Sequence, residues 1–219
     1  MNIKNIIIIG AGNVATHLAI TLQKAGYNIL QVFSRTEASA STLATRLGCP
    51  YTTDIDKVSS EGQLYIVSVK DSALDSLLAP LTRRAPQALF VHTAGSVPMN
   101  IWQGQAQRYG VLYPMQTFSK QRPVDFHEVS FFTEAKTQDD LKVLNGIALS
   151  LGSKAYEASS EQRRYLHIAA VFACNFTNHM YAIADHLLSA HGLPFEAMLP
   201  LIDETARKVH ELSPVSAQT

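Results

Sequence analysis

An excess of charge of either sign is missing from this chain: lysine plus arginine count 18, aspartate plus glutamate count 18, and the formal net charge is zero with histidine neutral. Polyanions and anionic bilayers are bound through summed positive charge, so neither nucleic acid nor a membrane surface is an expected partner. Cysteine is scarce as well. The two cysteines, Cys49 and Cys174, lie far apart in sequence; they make neither a disulfide framework nor a metal-ligand pair and fit a reducing compartment. The histidines form no ligand constellation, with His17 on a first helix and His186 and His191 near a helix end, so no metal is expected. A long apolar export core is also lacking. Lys4 precedes Ile6-Ile7-Ile8-Ile9, but four β-branched residues are too few for a secretory signal and no small-residue cleavage site follows a longer one. The expected location is cytoplasmic.

What the chain has is length and apolar content: 219 residues and 47% hydrophobic residues allow one sizeable core, or one domain and a smaller appendage. Asn5 to Ile9 is a short aliphatic run, the pattern of a central parallel strand covered on both faces. It leads into Gly10-Ala11-Gly12-Asn13-Val14-Ala15, a G-x-G-x-x-A pattern, and an amphipathic stretch from Asn13 to Ala25 with Gly26 as its stop. Gly10 permits a tight turn, Gly12 lets backbone approach a pyrophosphate, and Ala15 allows close packing of helix on strand. The helix N-terminus adds amide donors and a favourable dipole for an anion. The expected cradle is therefore Gly10, Gly12, Asn13 and Val14. The competing reading is a glycine-rich turn without a ligand.

The end of the next strand, Asn28 to Phe33, selects between dinucleotides. A site for NAD places an acid there, about 20 residues past the glycines, to accept from the ribose 2′-hydroxyl. Here the residues are Ser34-Arg35-Thr36, and Glu37 begins the next helix. A guanidinium fork flanked by two hydroxyls suits a 2′-phosphate, so NADP(H) is the expected cofactor, against the alternative that Arg35 is a solvated surface arginine.

The alternation continues with strands at Leu64 to Val69, Ala88 to Val91, Gly110 to Tyr113, Val129 to Thr133 and Lys154 to Tyr156. Helices follow Lys70-Asp71 through Leu81 and span Gln138 to Leu151. This rhythm predicts an α/β fold: a Rossmann, doubly wound, mostly parallel sheet over residues 1–157, followed by a smaller all-helical domain over 158–219. Ligands of such sheets sit beyond the strand carboxyl ends. The clusters His92-Thr93-Ala94-Gly95-Ser96 and Pro114-Met115-Gln116 fall at such ends, so they are expected to ring one crevice.

Gly10 to Ala15, Val69-Lys70, Thr93-Ala94-Gly95 and Val111-Leu112-Tyr113-Pro114-Met115-Gln116-Thr117 resemble, in order and spacing, the marks of pyrroline-5-carboxylate reductase and of the wider 6-phosphogluconate-dehydrogenase-like enzymes. With His92 to Ser96, Tyr113 to Phe118 and Tyr165-Leu166-His167 through Asn175, nearly the whole chain resembles a Rossmann-plus-helical family labelled NADP oxidoreductases. The first domain is also similar to that of deazaflavin-dependent NADP reductases. The resemblance implies that Val69 and Lys70 lie near the adenosine half of the cofactor, and that Ala94, Gly95, Pro114 and Met115 approach the nicotinamide. It leaves the substrate open.

From Tyr165 to Ala184 no Lys, Arg, Asp or Glu occurs over twenty residues. His167, Asn175, Thr177, Asn178 and His179 would be costly inside a bilayer, so a central helix of a soluble domain is expected. Ser160 is its expected cap. At 100° per residue, Tyr165, Ala169, Phe172, Phe176, Met180, Ile183 and Leu187 form an apolar stripe. His167, Val171, Cys174, Asn178 and Asp185 fall opposite, on a face expected to border a partly buried cleft. Two readings stand for these polar groups: they tie neighbouring helices together, or they line the substrate side of the cleft. In the second, His167 is the candidate general acid or base, and Ser96, Pro114, Met115, Gln116, Asn175 and Asn178 are the candidate substrate contacts. Relatives often use a lysine with an asparagine one turn later, whereas position 171 is valine. His167 and Asn178 would stand about 16 Å apart along one helix, too far to touch one reacting carbon.

Pro194 to Leu212 reads as a last helix ended by Ser213-Pro214. Helices with one apolar face each need cover, so a homodimer through the C-terminal helices is expected. The expected function is hydride transfer between NADP(H) and a small carbonyl or imine substrate. Two alternatives are a non-catalytic NADP(H) sensor or scaffold, and a deazaflavin- or flavin-linked NADP reductase.

Overall fold

The computed structural model describes residues 3–218. The chain forms two compact units, Met1–Ile168 and Ala169–Thr219. The first is built on an eight-stranded sheet of order β3-β2-β1-β4-β5-β6-β7-β8. The strands are β1 (Asn5–Ile9), β2 (Asn28–Phe33), β3 (Tyr51–Thr52), β4 (Leu64–Val67), β5 (Leu89–His92), β6 (Arg108–Met115), β7 (Ser130–Ala135) and β8 (Lys154–Glu157). All neighbouring pairs are parallel except β6 with β7. Strand order reverses at β1/β4, the switch point at which such sheets open a crevice. The α/β, doubly wound, mostly parallel architecture expected from the sequence is the one found.

The Ile6–Ile9 run has a packing reason. Ile6 and Ile8 belong to one core, with Val32, Leu64 and Ile66, while Ile7 and Ile9 belong to the other, with Tyr65, Val67 and Phe90. Side chains alternate across a strand, so a strand covered on both faces must be apolar at every position. All four isoleucines are inaccessible to solvent. Helices α1 (Asn13–Lys24), α2 (Glu37–Leu47) and α4 (Gln138–Ser150) supply the first core; α3 (Asp71–Arg84) supplies Leu74, Leu77, Leu78 and Leu81 to the second.

Helix α5 (Ser160–Ala170) starts in the first unit and crosses into the second, so the compact units divide later than the expected 157/158 boundary. Its cap is Ser159, not Ser160. Ser159 Oγ accepts from Gln162 N, and Gln162 Oε1 accepts from Ser159 N, a reciprocal capping box. Ser160 is engaged elsewhere: its hydroxyl donates to Glu134 Oε2 and accepts from Met99 N.

In the second unit, residues Val171–Phe176 are π-helical before α6 (Thr177–Ala190) resumes. This corrects the uniform 100° register assumed from the sequence, because i→i+5 bonding slips the helix face by about one residue. The last expected helix is likewise split into a 3-10 turn at Phe195–Met198 and α7 (Leu199–Glu211). No described residue of this unit is buried. The apolar stripe is open, with Phe172 63% and Leu187 59% exposed. The opposite face is open too from Cys174 onward, at Cys174, Asn178 and Asp185. Among the described residues no helix is long and apolar enough to cross a membrane.

Candidate functional site

Beyond the carboxyl ends of β1, β2, β4, β5 and β6 lies one cleft of about 790 Å³, within the usual range for small-molecule and cofactor pockets. Gly10 continues β1 with φ +115°, and an added Cβ would sit 2.1 Å from the Ser68 carbonyl oxygen, so only glycine fits. Gly12 differs. It caps α1 without a side-chain bond, no acid stands in the first turn, and an added Cβ would meet nothing within 4 Å. Protein packing therefore does not demand glycine there. The bare backbone leaves room at an amide-rich helix N-terminus, the arrangement that admits a diphosphate.

Ser34 and Arg35 line the far end of the cleft with Ser39, Ser72 and Ser76. Arg35 is exposed and has no ion pair or hydrogen bond with another described residue. Its guanidinium is thus free to engage a phosphate, and the hydroxyls around it are suitable donors. Thr36 does not line the cleft; it occupies the N-cap position of α2. Val69 and Lys70 do line it, in the loop between β4 and α3, because β4 ends at Val67, two residues short of the strand expected from sequence. The described residues fit a 2′-phosphorylated dinucleotide. Among them, no group of three or more His, Cys, Asp or Glu is placed to hold a metal ion.

The loop after β5 forms the opposite wall. Thr93, Ala94, Gly95 and Ser96 all line the cleft. Ala94 N donates to His92 Nδ1 at 3.3 Å, Thr93 Oγ1 donates to Ser68 Oγ at 3.0 Å, and Ser96 Oγ donates to Asp71 Oδ2 at 2.6 Å. Farther along, Arg163 donates to the Val97 and Ala158 carbonyls and to Glu134 Oε2. Arg163 is completely buried, so its charge requires the Glu134 partner. One network thereby ties this loop to the start of α5, whose later turn carries His167. Burial, with the nearby Arg163 charge next in weight, lowers the His92 imidazole to about 3; the polarity of the nearby Pro98 backbone opposes the shift. His92 is a neutral structural acceptor.

Pro114 and Gln116 line the cleft at the end of β6, with Lys120 beyond them; Met115 does not. The loop that carries them is latched to α1, since Asn13 Nδ2 donates to the Phe118 carbonyl at 2.9 Å and His17 Nε2 lies 2.8 Å from the Ser119 carbonyl. Asn13, expected at the diphosphate, engages its side chain in this latch and is also a lining residue of the cleft. His167 reaches the cleft. Its Nδ1 is 3.4 Å from Tyr113 Oη, and Tyr113 is a cleft residue that sequence reasoning did not single out. Asn175 and Asn178 lie in the second unit, exposed in the π-helical stretch and the first turn of α6; the cleft is built from the first unit alone.

The comparisons fit this geometry. A family model described as NADP oxidoreductase, coenzyme F420-dependent, matches residues 5–95, and the model of the domain of unknown function DUF2520 matches residues 129–219. A Bacteroides fragilis crystal structure, provisionally described as an NADP oxidoreductase, shares 57% identity and a TM-score of 0.95, covering 99% of this chain and 84% of that one. The chain belongs to that NADP oxidoreductase family. Among curated proteins none matches it. A Coxiella burnetii pyrroline-5-carboxylate reductase (17% identity, TM-score 0.69, 97% and 82% of the two chains) shares the fold. So does a Streptomyces aurantiacus imine reductase (17%, TM-score 0.70, 95% and 75%).

Proposed function

We propose that this chain binds NADP(H) in the cleft at the β1/β4 switch point and catalyses hydride transfer to or from a small carbonyl or imine substrate. One observation carries the cofactor half: Gly12 is a glycine that packing does not require, at a helix N-terminus without a side-chain cap, and it lines one cleft with Arg35, which has no ion pair or hydrogen bond among the described residues. Gly10, Gly12, Asn13 and Val14 border the diphosphate, Ser34 and Arg35 the 2′-phosphate, and Val69 and Lys70 the adenosine half. Ala94, Gly95 and Pro114 stand at the nicotinamide end. The bound cofactor supplies the hydride chemistry, and the protein contributes orientation and a proton.

His167, at the cleft, supplies that proton, and Ser96 and Gln116 border the substrate. The imine reductase and pyrroline-5-carboxylate reductase likenesses support an imine or carbonyl acceptor. The coenzyme F420 description of the matching model supports a second reading, a deazaflavin-linked NADP reductase. Titration of NADPH and NADH by nicotinamide fluorescence tests the cofactor, with NADPH expected to bind more tightly. Incubation with imines, keto acids and a deazaflavin, followed by absorbance of the reduced nicotinamide, separates the two reactions. NADPH oxidation with none of them, despite tight binding, would favour a non-catalytic NADP(H) sensor.

The uncovered apolar faces of α6 and α7 support homodimerisation through the second unit, and light scattering at micromolar concentration is expected to give a dimer mass. Two free cysteines, Cys174 exposed, fit the cytoplasm.

A further inference from the structure

Tyr113 lies on β6 with its ring against Gly95: a Cβ added to Gly95 would stand 2.6 Å from Tyr113 Cζ and 2.9 Å from Cε1. Position 95 must therefore be glycine for the hydroxyl end of Tyr113 to lie over the β5 loop. On its other side Tyr113 Oη meets His167 Nδ1 at 3.4 Å, and the two rings are edge-on at 6.4 Å. Tyr113 is half-buried and lines the cleft with Ala94, Gly95, Pro114 and His167.

We infer that Tyr113 is the catalytic acid that meets the substrate, and that His167 is a positioning and relay residue behind it. The inference rests on the reading of this cleft as an NADP(H)-dependent reductase site. In the reductive direction the substrate carbon gains a hydride from the reduced nicotinamide, and its C=O or C=N π pair becomes a lone pair on the heteroatom. The Tyr113 O–H bond breaks and its proton joins that pair, giving an alcohol or amine. The phenolate then takes the Nδ1 proton of His167 as solvent delivers a proton to Nε2, so the imidazole stays neutral, and tautomer exchange with water restores Nδ1–H. Oxidation reverses each transfer. Burial raises the Tyr113 phenol above its ordinary range, which keeps the proton on the oxygen until a substrate takes it. No residue other than His167 is hydrogen-bonded to this hydroxyl among the described residues.

Incorporation of 3-fluorotyrosine, with the Tyr113→Phe variant assigning the resonance, gives a readout that needs no substrate. The fluorine signal of position 113 is expected to shift on NADPH addition and to shift again in His167→Ala. With a substrate in hand, Tyr113→Phe is expected to lower turnover at least about 100-fold, with NADPH affinity held within about threefold. An unmoved resonance on NADPH binding, or wild-type turnover in Tyr113→Phe, overturns the inference while leaving the cofactor assignment standing. Absence of NADPH binding by the folded wild type overturns both.

Discussion

Ala94 N donates to Nδ1 of His92 at 3.3 Å, and the ring that accepts this bond is fully buried beneath the cleft wall. The acceptor role requires a neutral ring with its proton on Nε2. Protonation at Nδ1 would remove the bond and place a cation near Arg163.

A pH dependence of stability follows. The folded value of His92 is about 3, below the unfolded imidazole, so the unfolded chain binds the extra proton first. The stability is present above about pH 6.5 and is lost as pH falls toward the folded value, at about 1.4 kcal/mol per unit. Urea unfolding at pH 7 and pH 5 is expected to differ by about 2 kcal/mol more in wild type than in His92→Gln. Equal differences would remove His92 as the origin.

The two glycines of the first turn separate folding from binding. Gly10→Ala is expected to cost roughly 2–4 kcal/mol, because it combines a left-handed φ with a collision against backbone. Gly12→Ala is expected to stay within about 1 kcal/mol of wild type while weakening NADPH at least about tenfold. Calorimetric titration of each folded variant is the check, and a destabilised Gly12→Ala would contradict the open space beside it.

Arg35 is expected to act on one cofactor only. Charged hydrogen bonds contribute about 1.5–3 kcal/mol, so Arg35→Ala should weaken NADPH roughly 10- to 100-fold and leave NADH within about twofold. A parallel loss for both would mean that Arg35 does not read the 2′-phosphate.

The pair of buried Arg163 and half-buried Glu134 is expected to be intolerant of halving. Glu134→Gln leaves a guanidinium uncompensated in the interior, at a cost of about 3–5 kcal/mol. In a chain of this size that lowers Tm by roughly 10 °C. Thermal unfolding followed by circular dichroism reads this directly.

Much of the lining of the candidate cleft was legible in the sequence. Gly10, Gly12 and Arg35 carry a recognisable spacing because the turn, the expected phosphate cradle and the end of the next strand are local features, set within the first thirty-five residues. Ala94, Gly95, Ser96 and Gln116 followed from the rule that ligands collect at strand carboxyl ends. Tyr113, Asp71 and the serines at 39, 72 and 76 were not singled out. Each belongs to a segment with its own local explanation, a strand, a helix start or a solvated turn, and only the tertiary structure places it in the cleft. Arg163 was more deeply hidden: read along the chain it is one of two arginines in a first helical turn, yet it is buried while Arg164 is exposed.

The sequence by itself determined the two-sided core, the glycine turn and the alternation of strand and helix, since these depend on side-chain period and on conformations available to single residues. Only the tertiary structure decided which hydroxyl stands between Gly95 and His167, which charges are sealed inside, and where the long helix slips register. Those outcomes come from contacts between residues tens of positions apart. Their free energies depend on burial and distance, quantities that are undefined until the chain has closed on itself.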